Sequence, residues 1–308
     1  MTAARLLRLG TRASPLARWQ AEWVAGELRK LGHNVALVTL STRGDQEQSA
    51  SLGAIGGQGV FTKELQRALL REEIDLAVHS LKDLPTDAVA GLDLGAVPPR
   101  EATADVLVSR ASSSFADLPQ GAAIGTGSLR RRAQLWHARP DLKMFDVRGN
   151  VDTRLRKLAE GQYDALVLAQ AGLVRLGLAS HITEVLPEAL MLPAVGQGAL
   201  GIEIRTADAE LKAALVPLDD FASRAAVVAE RAMLAALRAG CLAPVAAKAE
   251  VVAGTLRLRG VVLSADGSRR IRAECDGPPG DAAKIGEQVA AELLSQSAAD
   301  LIAAARSS

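Results

Sequence analysis

Over the first two-thirds of the chain, short strand-length apolar runs alternate with longer stretches of helical period. Residues 6–11 read as a strand, after which Ser14-Pro15 supplies an N-cap and a proline at the first helical position. The helix that follows is expected to run through Lys30 and to stop at Gly32. A second strand is expected over 35–42, then a Gly- and Ser-rich mobile loop over 43–59. The next helix covers 60–73, with Phe61, Leu65, Ala68 and Leu69 on one face. A strand over 74–78 leads into His79-Ser80-Leu81-Lys82-Asp83. A second unit opens near Asp105, with strands over 106–109, 122–125, 144–147 and 165–169 and helices over 129–137 and 151–160. Residues 199–205 read as a strand that rejoins the first sheet. Strands alternating with helices imply a largely parallel, doubly wound α/β arrangement.

The last third has a different pattern. A helix over 220–239 precedes strands over 245–252, 256–264 and 269–275, with Asp266-Gly267 as a hairpin turn. A final helix is expected over 281–305, with Ile285, Val289, Leu293 and Leu294 forming one apolar stripe. This reads as a small α+β domain with an antiparallel sheet. The expected domains are 1–99 with 199–217, 100–198, and 218–308.

Composition narrows the function classes. The 308 residues carry 36 Lys plus Arg against 35 Asp plus Glu, a formal charge of +1, which argues against a global polycation for nucleic acid or membrane. Eight of the 36 are Lys, so 36 − 8 = 28 are Arg. A guanidinium fork suits carboxylates and phosphates, so the bias points to an anionic ligand. Two cysteines, Cys241 and Cys275, cannot form a disulfide framework, and their spacing suggests no metal site. Arg5 and Arg8 interrupt the apolar residues at the N-terminus, and no membrane-length apolar run follows. A cytoplasmic protein without a membrane partner is the expectation.

The anion-binding candidates cluster where strands end. Thr126-Gly127-Ser128-Leu129-Arg130-Arg131-Arg132 sits at a strand-to-helix turn, where free N–H groups and the positive helix end favour an anion. The same turn also reads as a capped surface helix with solvated arginines. Arg148-Gly149-Asn150 repeats the pattern, with Arg154 a turn further on; Arg12 and Ser14 repeat it at the first strand, and Arg175 lies beyond 165–169. Ligands of open α/β sheets bind at that edge, so four such ends together point to a polyanion site. In His79–Asp83, Lys82 can hold an anion and Asp83 can act as a general acid/base or steady a cation. Alternatively the segment is a loop salt bridge with His79 hydrogen-bonded in the core. Cys241, after Gly240 in a loop, reads either as an inert buried thiol or as an accessible one.

Five segments together resemble the porphobilinogen deaminase (hydroxymethylbilane synthase) family. They are His79-Ser80-Leu81-Lys82-Asp83-Leu84-Pro85, Gly125-Thr126-Gly127-Ser128-Leu129-Arg130-Arg131, Arg148-Gly149-Asn150-Val151, Leu192-Pro193-Ala194-Val195-Gly196-Gln197-Gly198 and Gly240-Cys241. The resemblance implies two periplasmic-binding-protein-like doubly wound lobes plus a small C-terminal α+β domain with an antiparallel sheet. It implies a transferase that joins four porphobilinogen molecules head to tail, releases ammonia at each step and yields the linear tetrapyrrole hydroxymethylbilane. It also implies a dipyrromethane cofactor, thioether-linked to Cys241. By the same resemblance Asp83 is the catalytic carboxylate. Lys82, Ser128, Arg130, Arg131 and Arg154 hold the cofactor carboxylates. Arg12, Ser14, Arg148 and Arg175 surround the incoming substrate. No metal and no nucleic acid are implied, and the family is typically monomeric.

The sequence departs from the family pattern in places. Ala54 and Gln58 stand where lysines are common, although Lys63 is retained. Gly127 replaces a common Ser, Ala239 a usual Gly, and Leu242-Ala243-Pro244 is a variant flank. The competing reading is a non-enzymatic cytoplasmic anion sensor built on a solute-binding-protein-like fold.

Overall fold

The computed structural model describes residues 5–40, 62–240 and 243–306. The expected loop at 43–59, with Ala54 and Gln58, lies outside the described residues, as do Phe61, Cys241 and Leu242. The chain divides into two compact units, Met1–Arg100 with Ala199–Arg224, and Glu101–Gly198 with Ala225–Ser308.

The first unit contains β1 (Leu6–Arg12), α1 (Pro15–Lys30), β2 (Asn34–Leu40), α2 (Lys63–Leu70), β3 (Leu76–Ser80) and β4 (Leu92–Ala96). Numbering runs along the whole chain, so its remaining elements are β10 (Leu200–Arg205) and α6 (Ala209–Leu215). Its sheet order is β2-β1-β3-β10-β4. The Ser14 hydroxyl accepts the Ala17 N–H at 3.3 Å and Pro15 opens α1, as the Ser-Pro pair predicts. Ala21, Val24, Ala25 and Leu28 of α1 pack on one sheet face with Leu7, Leu9 and Ile202. Leu65, Ala68 and Leu69 of α2 cover the other face with Ile74 and Ala77. Burial on both faces explains why these strands read as near-continuous apolar runs.

The sheet is mixed rather than largely parallel. β1 runs parallel to β2 and β3, but β10 is antiparallel to both β3 and β4. The register explains the reversal: Leu200 lies opposite Ser80, so the returning chain enters where β3 ends and can only run back along it. β3 itself lies two residues beyond the expected 74–78. Asp75, just before it, is drawn instead into an ion cluster with Arg5, Arg8 and Arg205 at the opposite sheet edge.

The second unit repeats the design with β5 (Asp105–Ser109), β6 (Ala123–Gly125), α3 (Leu129–Ala138), β7 (Lys143–Phe145), α4 (Val151–Ala159), β8 (Ala165–Ala169), α5 (Gln170–Arg175) and β9 (Glu184–Val185). The order is β7-β6-β8-β5-β9, with β6 parallel to β7 and β8. β5 is the reversed strand, and its first residue, Asp105, faces Ala169 at the end of β8.

A three-stranded antiparallel sheet, β11 (Val245–Val252), β12 (Thr255–Leu263) and β13 (Arg270–Gly277), follows α7 (Phe221–Ala236). Its core combines Met233, Leu256, Leu258 and Val262 with Ile285, Val289 and Leu293. The expected final helix is two, α8 (Ala282–Ser295) and α9 (Ala298–Arg306), because Ser297 adopts a left-handed backbone with φ +70°. Leu294 leaves the expected stripe and is 39% exposed.

Candidate active site

Parallel pairing of β1 and β3 brings two loops to one sheet edge in the first unit. Arg12, Ser14, Gln20, Thr62, His79, Ser80 and Asp83 line one cavity there. The Gln20 amide donates to the Ser80 hydroxyl at 2.8 Å, tying α1 to the end of β3. Beyond Ser80 a single 3-10 turn, Leu81–Asp83, carries Lys82 and Asp83, both half-buried. That turn is anchored from below. The Leu81 N–H donates to Ala199 O at 3.0 Å, and the Leu81 side chain is buried. Gly201 makes room for it: a Cβ there would lie 2.5 Å from Leu81 Cδ2 and 2.8 Å from Leu94 Cδ1. His79 takes the core-bonded alternative, with Nε2 3.0 Å from Glu203 Oε2 of β10. The Gln66 amide donates to Glu203 Oε1 at 2.9 Å, and all three side chains are buried. Neither Glu203 nor Gln66 stands out in the sequence, where each looks like a polar residue inside an ordinary strand or helix.

In the second unit, three parallel strands end at one edge. β6 leads into the Thr126–Arg132 turn, β7 into Arg148, and β8 into α5 with Arg175. Ser128 occupies the N-cap position of α3, and its own N–H donates to the Thr126 hydroxyl at 3.3 Å. Arg130 and Arg131 are buried rather than solvated, which removes the surface-helix alternative for them. Both converge on Asp105, which is fully buried: Arg130 Nη1 lies 2.7 Å from Oδ2, and Arg131 Nη2 lies 2.7 Å from Oδ1. Arg130 also donates to Leu192 O at 2.7 Å, and Arg131 to Val167 O at 3.0 Å. Gln197 adds a 3.0 Å bond to Asp105 Oδ1.

The electrostatics follow from this geometry. Burial works to raise the Asp105 carboxyl, but the two guanidiniums overcome it and hold the group well below the usual carboxylate range. Burial also lowers the Arg130 guanidinium, against the pull of Asp105, yet arginine stays charged at any ordinary pH. Two cations on one carboxylate leave the cluster net positive. Arg175 is buried and donates to Gly198 O at 2.7 Å. Arg148 lies 3.6 Å from Asp146, and Arg132 also pairs with Asp146. Arg154 Nε donates to Gly149 O at 2.9 Å, while Asn150 caps α4 by accepting the Thr153 N–H at 2.9 Å.

The structure therefore gathers Arg12, Ser14 and Asp83 around one cavity, with Lys82 beside Asp83. It sets Ser128, Arg130, Arg131, Arg148, Arg154 and Arg175 on elements that follow three neighbouring strand ends. The second unit's donor set by itself fits a ligand bearing several carboxylates, because its cations and a helix N-terminus outnumber the local acids. Sequence reading missed Asp105 as the organiser of the two arginines; a lone Asp at a strand start resembles a loop residue. Cys275, the other cysteine, bonds to Gln288 Oε1 at 3.1 Å on the C-terminal sheet. Among the described residues, no helix is long and apolar enough to cross a membrane.

Comparison with known proteins gives a consistent result. Residues 7–213 match the family model "Porphobilinogen deaminase, dipyromethane cofactor binding domain", and 224–295 match "Porphobilinogen deaminase, C-terminal domain". The chain is 49% identical over 304 residues to porphobilinogen deaminase of Pelotomaculum thermopropionicum, covering 98% of this chain and 97% of that protein. It is 48% identical over 303 residues to that of Geobacter metallireducens, covering 98% and 95%. Among solved structures, a putative methionine-binding lipoprotein from Bacillus subtilis aligns at 14% identity and TM-score 0.42, covering 69% of this chain and 89% of that one. The periplasmic aliphatic sulphonate binding protein from Escherichia coli aligns at 16% identity and TM-score 0.41, covering 77% and 71%.

Proposed function

The chain belongs to the porphobilinogen deaminase family, and from that premise we propose that Asp83 is its catalytic carboxylate and Cys241 the attachment point of its cofactor. The enzyme is a transferase of tetrapyrrole biosynthesis with a dipyrromethane cofactor binding domain. Family membership displaces the non-enzymatic sensor reading.

The observation that carries the site assignment is the shared cavity of Arg12, Ser14 and Asp83. Porphobilinogen bears an acetate and a propionate. Arg12 and the Ser14 hydroxyl bind and orient a carboxylate at the β1 end, while Asp83 stands on the neighbouring β3 end. Loss of ammonia from the substrate leaves positive charge on its pyrrole, and a fixed carboxylate steadies that charge and accepts or returns the pyrrole proton. The turn anchored by Leu81 holds Asp83 in place, so little reorganisation is needed as charge develops.

Ser128, Arg130, Arg131 and Arg154, with Lys82, hold the carboxylates of the cofactor. Arg148 and Arg175, with Arg12 and Ser14, serve the incoming substrate. When bound, the dipyrromethane supplies the pyrrole position onto which the first substrate is joined. Each added pyrrole brings two more carboxylates, which accounts for the arginine excess. Four successive condensations, each releasing ammonia, followed by cleavage of the four joined pyrroles from the primer with one water, give hydroxymethylbilane. The working division is three domains, 1–99 with 199–217, 100–198, and 218–308, in a cytoplasmic monomer without nucleic-acid or metal partners.

Intact mass tests the cofactor assignment. The purified enzyme is expected to exceed its chain mass by a covalent dipyrromethane, and Cys241→Ser to lose that addition. A Cys241→Ser protein that still carried a thioether-linked dipyrromethane and elongated normally would overturn the assignment.

A further inference from the structure

A buried polar triad reaches the Asp83 cavity through one of its members, His79. Glu203 on β10, His79 on β3 and Gln66 on α2 meet with contacts of 3.0 and 2.9 Å. Burying a carboxylate among apolar neighbours is costly unless its oxygens are satisfied. Here each oxygen has one partner from a different element. An ionised carboxylate can only accept, so the 3.0 Å contact requires a proton on His79 Nε2. That leaves Nδ1 as the acceptor nitrogen of the neutral ring. His79 is also a lining residue of the cavity that holds Arg12 and Asp83.

We propose that Glu203 is a positioning residue for the deaminase reaction: it locks His79 as the Nε2–H tautomer and fixes the ring on the floor of the Asp83 cavity. The inference rests on that cavity being the reacting site. Glu203 from β10 contacts the ring directly, Gln66 from α2 holds the other Glu203 oxygen, and the charged Arg12 from β1 and Asp83 from the turn line the same cavity as the ring. A ring held in one tautomer presents one protonation pattern to the pocket, which is how buried carboxylate partners tune histidines elsewhere.

The test uses the holoenzyme labelled with 15N-histidine. In the unmutated protein the His79 ring is expected to give the nitrogen shifts of the Nε2–H tautomer, a readout that needs no turnover and no variant. Glu203→Gln, nearly isosteric, can either accept or donate at that contact, so it is expected to lose the single Nε2–H pattern. It is also expected to reduce kcat with KM little changed, because the ring no longer presents one fixed hydrogen-bonding pattern to the cavity. An Nδ1–H tautomer in the unmutated protein overturns the proposal, as does a Glu203→Gln enzyme with normal kcat and unchanged ring nitrogen shifts. Near-normal turnover in Asp83→Asn would instead refute the pocket assignment while leaving the measured tautomer standing.

Discussion

Replacing Asp105 by Asn tests how the second unit holds its buried arginines. The substitution keeps shape and one acceptor oxygen but removes the negative charge that Arg130 and Arg131 share in their ion pairs among the described residues. It also sets an amide N–H against the donors of Arg130 or Gln197. Those guanidiniums are 5% and 8% exposed at the side chain, so water cannot take over the carboxylate's role. Breaking a buried ion pair by removing one partner costs about 3–5 kcal/mol. Against a domain stability of about 5–15 kcal/mol this is a large share. With a urea m-value of about 1–3 kcal/mol per molar, the midpoint should fall by more than about 1 M. The assay is urea unfolding at pH 7 followed by two probes, with intact mass measured on the same samples. The loaded fraction should fall as well, because Arg130 and Arg131 lose their orientation.

Acidification supplies a second, sign-specific check. The folded Asp105 carboxyl lies below its unfolded value near 3.8. The unfolded chain therefore takes up a proton first, and stability rises with pH across that window. The Asp105 contribution is complete above about pH 5 and is lost as pH falls further, so the gap between wild type and Asp105→Asn should narrow in acid. A gap below about 1 kcal/mol at pH 7 would refute the reasoning, since that is the value of an exposed pair. So would a gap that widens on acidification.

Other changes have equally definite outcomes. Gly201→Ala places a methyl 2.5 Å from Leu81 Cδ2, so it should cost about 1–3 kcal/mol and lower kcat through the Lys82–Asp83 turn. Thermal denaturation and steady-state kinetics check this, and no change in either would count against the anchoring role of Leu81. Gly198→Ala drives a methyl against the backbone oxygens of Glu101 and Ala102 from a backbone with φ +83°, where neither partner is a flexible side chain. It should destabilise by about 1–3 kcal/mol or more and disturb the carbonyl that receives Arg175, as equilibrium unfolding would reveal.

Much of this architecture is legible in the sequence. Ser14-Pro15, the 165–169 run and the Asp266-Gly267 turn state their structures locally, because capping and turn geometry depend on a few neighbouring residues. Strand direction is different. Hydrophobic pattern marks β10 and β5 as buried strands but says nothing of which way they run, and both are reversed. β4, with Gly95 within five residues, and the two-residue β9 are too short to show a period. The break at Ser297 is invisible because an apolar stripe continues across it. The cationic turns and Asp83 were readable since their chemistry is carried by side-chain type and position after a strand. Asp105, Glu203 and Gln66 were not, because their roles come from contacts 25 to 137 residues away in the chain.

A carboxylate that takes part in the chemistry must matter far more to turnover than to folding. Ammonia release by holoenzyme carrying Asp83→Asn separates the two most directly. A loss of at least about 100-fold in kcat, the usual contribution of a positioned acid or base, is predicted, with the unfolding midpoint and the covalent cofactor mass unchanged. Near-normal release from the same loaded variant would contradict a catalytic Asp83.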